Sequence, residues 1–192
     1  MISGMNLYIT NRIDALNERI GQLASWLVVA VVLLGAWNAI ARYISKFTEL
    51  HISSNAYLEL QWYVFSAIFL LGAGYTMRRD EHVRVDIWYA GRTPRTQARI
   101  DVIGTVIFLI PFCIFILWTS WFPVKNSWAI HEMSPDPGGL PRYPIKTLIP
   151  IAFTLLLLQA ISQLIKRWRL MSDHLPNPNS KIQIPKSPEA SL

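Results

Sequence analysis

The chain has 192 residues, of which 52% are hydrophobic and only 16% charged. A soluble domain carries roughly 25% charged residues, so this composition argues against a water-soluble enzyme and for a membrane protein. The formal net charge of +6 fits anionic headgroups better than nucleic acid, because the basic residues flank oily stretches and form no separate face.

The first 19 residues, MISGMNLYITNRIDALNER, are too polar for a cleavable signal peptide. Leu7, Ile13, Leu16, Ile20 and Leu23 recur at helical spacing, which predicts a short amphipathic helix at the membrane surface. Four windows without Asp, Glu, Lys or Arg follow: Gly21 to Ala41, Leu60 to Met77, Val102 to Val124 and Thr147 to Ile165. Each approaches or exceeds the roughly 20 residues that a helix needs to cross a hydrocarbon core. Segments such as LVVAVVLLGAW and IPIAFTLLLLQ show no polar stripe of the kind a soluble bundle has. The expected fold is therefore all-α: one membrane domain over 1–169 with four spans near 20–42, 56–77, 94–122 and 145–167, then a polar, proline-rich tail over 170–192.

Between the first two spans, Tyr43, Ile44, Phe47 and Leu50 share one helical face, which predicts a second interfacial helix. Ser54 and Asn55 are good caps for span two, and Glu59 is expected in its first turn, where the helix dipole favours an anion. Trp62 and Tyr63 near this start, and Trp118, Trp121, Phe122 and Trp128 at the far end of span three, suit a headgroup belt. The run LLGAGYT places Gly72 four residues before Thr76, with Gly74 between them, a spacing that permits close helix contact in lipid.

The next segment, MRRDEHVRVDIWYAGR from Met77 to Arg92, is the most charged stretch between two spans. Asp80, Glu81, His82 and Asp86 offer ligand chemistry, but the arginines around them compete for the carboxylates, so no metal site is expected. Arg78 or Arg84 is instead expected to pair with Asp80 or Asp86 and hold the turn. Thr93 followed by Pro94 marks a cap and first helical position. Pro111 should kink span three and Pro123 should end it. The loop HEMSPDPGGLPRYPIK, with four prolines and two glycines from Ser134 to Pro144, should lack regular structure.

Thirteen Lys and Arg residues fall on the side carrying both termini and the Arg78 loop, against five on the other. The positive-inside rule therefore places both termini in the cytoplasm. No ionisable group lies in the four windows, no histidine lies in a span to carry haem, and no catalytic grouping or nucleotide fingerprint occurs, so neither enzyme nor cofactor is expected.

The run FLLGAGYTMRRDEHVRVDIWY with PRTQARIDVIG, the block GLPRYPIKTLIPIAFTLLLLQ and the stretch ELQWYVFS resemble the small membrane subunit of tripartite ATP-independent periplasmic (TRAP) transporters. The resemblance covers roughly Ser54 to Lys166. It implies a bacterial inner-membrane system with a periplasmic binding protein, a large permease subunit that moves an organic acid or related solute with sodium, and this small subunit as a non-catalytic scaffold. It also makes Glu59, Trp62, Gly72, Gly74, Arg78, Arg79, Asp80, Glu81, His82, Arg84 and Asp86 the structural or interface candidates. The alternative is a stand-alone four-helix membrane protein or an accessory subunit of another membrane complex.

Overall fold

The computed structural model describes residues 2–48, 54–81, 89 and 91–172. Its elements are α1 (Ile2–Phe47), α2 (Asn55–Arg79), α3 (Pro94–Gly104), a π segment (Thr105–Leu109), α4 (Ile110–Ala129) and α5 (Tyr143–Ser172). Because α3, the π segment and α4 run on without a break, four helices are long and apolar enough to cross a membrane. These are the four spans expected from the sequence. His82, Arg84, Asp86 and the proline-rich tail from residue 173 onward lie outside the described residues.

The helix starts are built as the capping rules require. The Ser54 side chain accepts from the Ala56 N–H at 3.2 Å, and the Thr93 side chain accepts from the Thr96 N–H at 3.4 Å, with Pro94 opening α3. At the far end of α2, Asp80 adopts a left-handed conformation with φ 60°. Its N–H bonds the Met77 carbonyl and the Glu81 N–H bonds that of Thr76, which closes the helix in the Schellman pattern.

Three boundaries differ from expectation. The surface helix foreseen before span one is not a separate element but part of the 46-residue α1, which also contains Tyr43, Ile44 and Phe47 of the one foreseen after it, while Leu50 lies outside the described residues. No proline interrupts that stretch, and Asp14 and Asn17 bond to α5, so the helix start is held along the bundle rather than in the surface plane. Pro123 does not end span three, and α4 continues through it to Ala129. Pro111 is preceded by the π segment, in which the Ile110 N–H reaches back five residues to Thr105. The wider turn falls where the proline ring would otherwise meet the carbonyl of Ile107.

Burial is the reverse of that in a soluble protein. The buried set is small or polar: Ala24, Ala41, Ala98, Cys113, Ala152 and Ala160 with Thr10, Asn17, Asn38, Glu59, Ser127, Gln159 and Ser162. Large apolar side chains face outward, with Trp118 80% and Phe122 75% exposed. Lipid is as apolar as Leu, so helices in it associate through close backbone approach and polar contacts, which small interior residues allow.

Contacts among the helices form an open array. α1 packs on α2, α2 on α5, and α5 on the α3–α4 rod, while α1 also reaches α5. Among the described residues the α3–α4 rod touches neither α1 nor α2. The α1–α2 pair is antiparallel and has a seven-residue period, with Thr10, Asn17, Ala24 and Asn38 buried on one stripe. Asn17 fills the space beside Gly74, and Gly35 admits the Gln61 side chain.

Gly74, rather than Gly72, is thus the contact glycine. A Cβ at Gly74 would collide with Asn17 Oδ1, whereas one at Gly72 would meet nothing within 4 Å. We expect Gly74→Ala to destabilise the protein by about 1–3 kcal/mol through overpacking. Gly72→Ala should be neutral or stabilising by up to about 1 kcal/mol, since alanine favours a helix. Thermal melting of the two variants in one detergent checks the contrast.

Candidate functional site

The polar side chains of α5 explain how the array is joined at the end where α2 finishes. Gln159, Ser162, Gln163 and Lys166 lie three or four residues apart and so share a face. That face receives Asp14 from α1. Ser162 Oγ donates to Asp14 Oδ1 at 3.0 Å, Gln159 Nε2 donates to the same atom at 3.1 Å, and Lys166 pairs with Oδ2. Asn17 Nδ2 donates to Gln159 Oε1 at 2.8 Å, while Gln163 Nε2 donates to the Met77 carbonyl of α2 at 3.3 Å. Three helices therefore meet in one hydrogen-bonded cluster.

The charged turn attaches to neighbouring helices. Arg78 pairs with Glu18 of α1, and Arg79 meets the same carboxylate at 2.8 Å while its guanidinium lies over the Tyr75 ring. Asp80 pairs with Arg167 of α5 at 3.1 Å, and Arg167 reaches Asp101 of α3 at 3.2 Å. Tyr89 donates its hydroxyl to Asp101 at 2.8 Å. Arg78 and Asp80 each pair across helices, because α2 ends beside both α1 and α5 and each offers an opposite charge, while Arg84 and Asp86, the other partners expected for them, lie outside the described residues. Glu81 is exposed.

At the opposite end, Glu59 has a different role from the dipole contact anticipated for it. It lies beyond the first turn of α2 and is buried, 3% exposed. Its carboxylate accepts from Ser134 Oγ and from the Leu140 N–H, both in the loop before α5. The loop can wrap this carboxylate because Gly138 takes φ +71° and a Cβ at Gly139 would stand 2.8 Å from Glu59 Oε2. Asn55 donates to the Pro137 carbonyl at 3.0 Å and the Tyr63 hydroxyl to that of Pro141 at 3.2 Å. Met133 and Pro141 form an isolated antiparallel bridge, and Lys146 pairs with Glu132. The proline-rich loop is irregular as expected but fastened at several points. Trp62 packs edge-on against Tyr63, with ring centroids 4.5 Å apart.

A third feature is a groove along one face of the α1–α2 pair. Its upper part, about 560 Å³, is lined by residues including Val32, Gly35, Gln61 and Phe65. Its lower part, about 510 Å³, includes Gly21, Ser25, Phe69, Gly72 and Thr76. Gly21, Ser25, Val28, Val32 and Gly35 advance by three or four residues, as do Gln61, Phe65, Phe69, Gly72 and Thr76. Both parts therefore lie on one seam, and Gln61 brings a polar amide to it.

These features carry no arrangement for catalysis, and among the described residues no group of three or more His, Cys, Asp or Glu comes together as a metal site would require. Over residues 31–170 the sequence matches the family of tripartite ATP-independent periplasmic transporters, DctQ component. The chain belongs to that family. This DctQ-family protein is thus a multi-pass membrane protein and a component of a transporter rather than a member of an enzyme family. No curated protein and no solved structure matches it. Of the expected site residues, Glu59 and Trp62 sit at the loop end, Gly72 in the groove, Gly74 in the α1–α2 contact, and Arg78, Arg79 and Asp80 in the charged cluster. Asp14 and Glu18 were missed because they looked like the wet face of a surface helix. The polar stripe of α5 is the signal that could have found their side of the bundle.

Two tests address the loop. Glu59→Ala removes the acceptor for Ser134 and Leu140, and we expect several-fold faster proteolysis within residues 130–142 of the otherwise folded protein. The Lys146 ammonium beside Glu132 holds the Glu132 carboxyl below the usual glutamate range. Its stabilising contribution is complete above the unfolded glutamate value and is lost as pH falls through the lowered one. Acidification should accordingly speed loop cleavage, and Glu132→Gln should show faster cleavage at neutral pH and a smaller pH dependence.

Proposed function

We propose that this chain is the non-catalytic scaffold subunit of a TRAP transporter. In this reading it supports a large permease subunit in sodium-coupled uptake of an organic acid or related solute, delivered by a periplasmic binding protein. The membrane is the bacterial inner membrane, and the excess of Lys and Arg puts both termini and the Arg78 turn in the cytoplasm. The Glu59 loop then faces the periplasm.

The observation that carries the reading is the open array with its long groove. A stand-alone bundle would close its helices around a common core, but here the α3–α4 rod leaves α1 and α2 uncovered on one face. That face presents Gly72, where a neighbouring helix can approach closely, together with Gln61, whose amide gains from a partner inside the hydrocarbon. Asp14, Glu18, Glu59, Arg78, Arg79, Asp80 and Arg167 are occupied in joining this chain's own helices and loop, in keeping with transport chemistry residing on the partner. Glu59, Arg78, Arg79 and Asp80 on this view are architectural: they fix the loop and the helix ends that flank the docking face.

Tagged full-length chain should co-purify with a co-expressed large permease subunit. Gly72→Trp puts a large side chain into the groove at a position where a Cβ meets nothing within 4 Å. We expect it to reduce co-purification at least tenfold without lowering the melting temperature of the isolated chain, while Phe115→Leu on α4 leaves the complex intact. Reconstituted alone, the chain should conduct no solute or ion. Robust flux through the isolated chain would overturn the scaffold reading.

A further inference from the structure

A cleft separate from the groove opens between α2 and α5 at the loop end. Its volume is about 300 Å³, within the range of sites that hold small molecules. Trp62, Leu70, Ile145 and Ile149 supply apolar walls, and Arg142 and Lys146 supply two cations. Arg142 stands just before α5 and Lys146 in its first turn, so both precede the deeper Ile149, and the six residues from Tyr143 to Ile149 correspond to roughly 9 Å of helix. The cleft is therefore amphipathic along the membrane normal, with charge at the headgroup level and hydrocarbon contacts further in.

The two cations are not equivalent. Lys146 pairs with Glu132. Arg142 has its Nε shut off from solvent with no hydrogen-bond partner. Its charge is felt by Glu59 and Glu132, yet Glu59 is occupied by Ser134 and Leu140 and Glu132 by Lys146. Because Nε has no open surface, a ligand meets Arg142 through the part of the side chain that lines the cleft, and a phosphate oxygen is the acceptor that best suits a guanidinium without a paired carboxylate among the described residues.

We infer that the α2–α5 cleft binds one membrane phospholipid, its phosphodiester accepted by Arg142 with Lys146 alongside and one acyl chain lying against Leu70 and Ile149. The ligand comes from the bilayer because the apolar walls extend the site toward the hydrocarbon, which free phosphate cannot use. Bound there, the lipid wedges the start of α5 against α2 and braces the loop that Glu59 fastens. The inference rests on the four helices spanning a membrane and not on which protein partner the chain takes.

Native mass spectrometry of the delipidated full-length chain in detergent tests it. The probes are phosphatidylglycerol, diacylglycerol with the same acyl chains, and inorganic phosphate. We expect one phosphatidylglycerol to bind about tenfold more tightly than diacylglycerol, with inorganic phosphate binding undetectably. Arg142→Gln should abolish the preference and Arg142→Lys should keep part of it. Ile149→Trp, which fills the apolar part and leaves the charges in place, should weaken the first lipid about tenfold. Should Arg142→Gln fail to fold, the Ile149→Trp variant and the diacylglycerol comparison still decide. Equal binding of phosphatidylglycerol and diacylglycerol, binding of inorganic phosphate as tight as that of the lipid, or an Ile149→Trp variant that binds lipid like the parent would each overturn the proposal.

Discussion

The carboxylate of Asp14 is the contact on which the arrangement of helices depends. In a bilayer, apolar faces gain little from meeting one another, because lipid offers the same surroundings. Polar side chains therefore decide which helices touch and at what register. Asp14 gathers Gln159, Ser162 and Lys166 from α5, and Asn17 one turn later bonds Gln159 while filling the hollow at Gly74 of α2. Each such bond in lipid is worth only about 0.6 kcal/mol on average. Their value lies in direction, since a shift of α1 by one residue would break all of them together.

The same cluster explains why α1 is so long. A helix of 46 residues extends over about 69 Å, more than twice a hydrocarbon core of about 30 Å. Its first turns would be expected to peel away along the surface, yet Asp14 and Asn17 hold them to α5, while Glu18 holds Arg78 and Arg79. A second set of ties, built on Glu59 at the other end, holds the loop before α5 against α2. Between these two polar ends the middle of the molecule is joined mainly by small residues.

An array joined at its ends and open along its side is suited to support another protein. The α1–α2 seam carries glycine, alanine, serine and threonine between larger side chains such as Val32, Phe65 and Phe69, and the small residues let a foreign backbone approach. The opposite rod, α3–α4, presents Phe108, Trp118 and Phe122 outward, large side chains that suit lipid contact. Trp26 and Phe69 of the α1–α2 pair are similarly exposed, so what sets that pair apart is the small residues between its large ones.

The sequence alone determined the four spans, because stretches free of charge that are long enough to cross a bilayer admit few other structures. It also determined the Ser54 and Thr93 caps, since their side chains act on N–H groups two or three residues away. The family was legible in contiguous runs around Gly72 to Tyr89 and Gly139 to Gln159. Partnership was not legible. Arg78 stands next to acids in the chain but pairs with Glu18, 60 residues earlier, and Glu59 serves Ser134 and Leu140, more than 70 residues later. Hydrophobic periodicity made Asp14 part of a wet face, because periodicity registers which residues are polar and not what lies across from them. Only the tertiary structure decided those pairings, since they depend on which helix ends are brought side by side, and no local property of α1 or α2 contains that information.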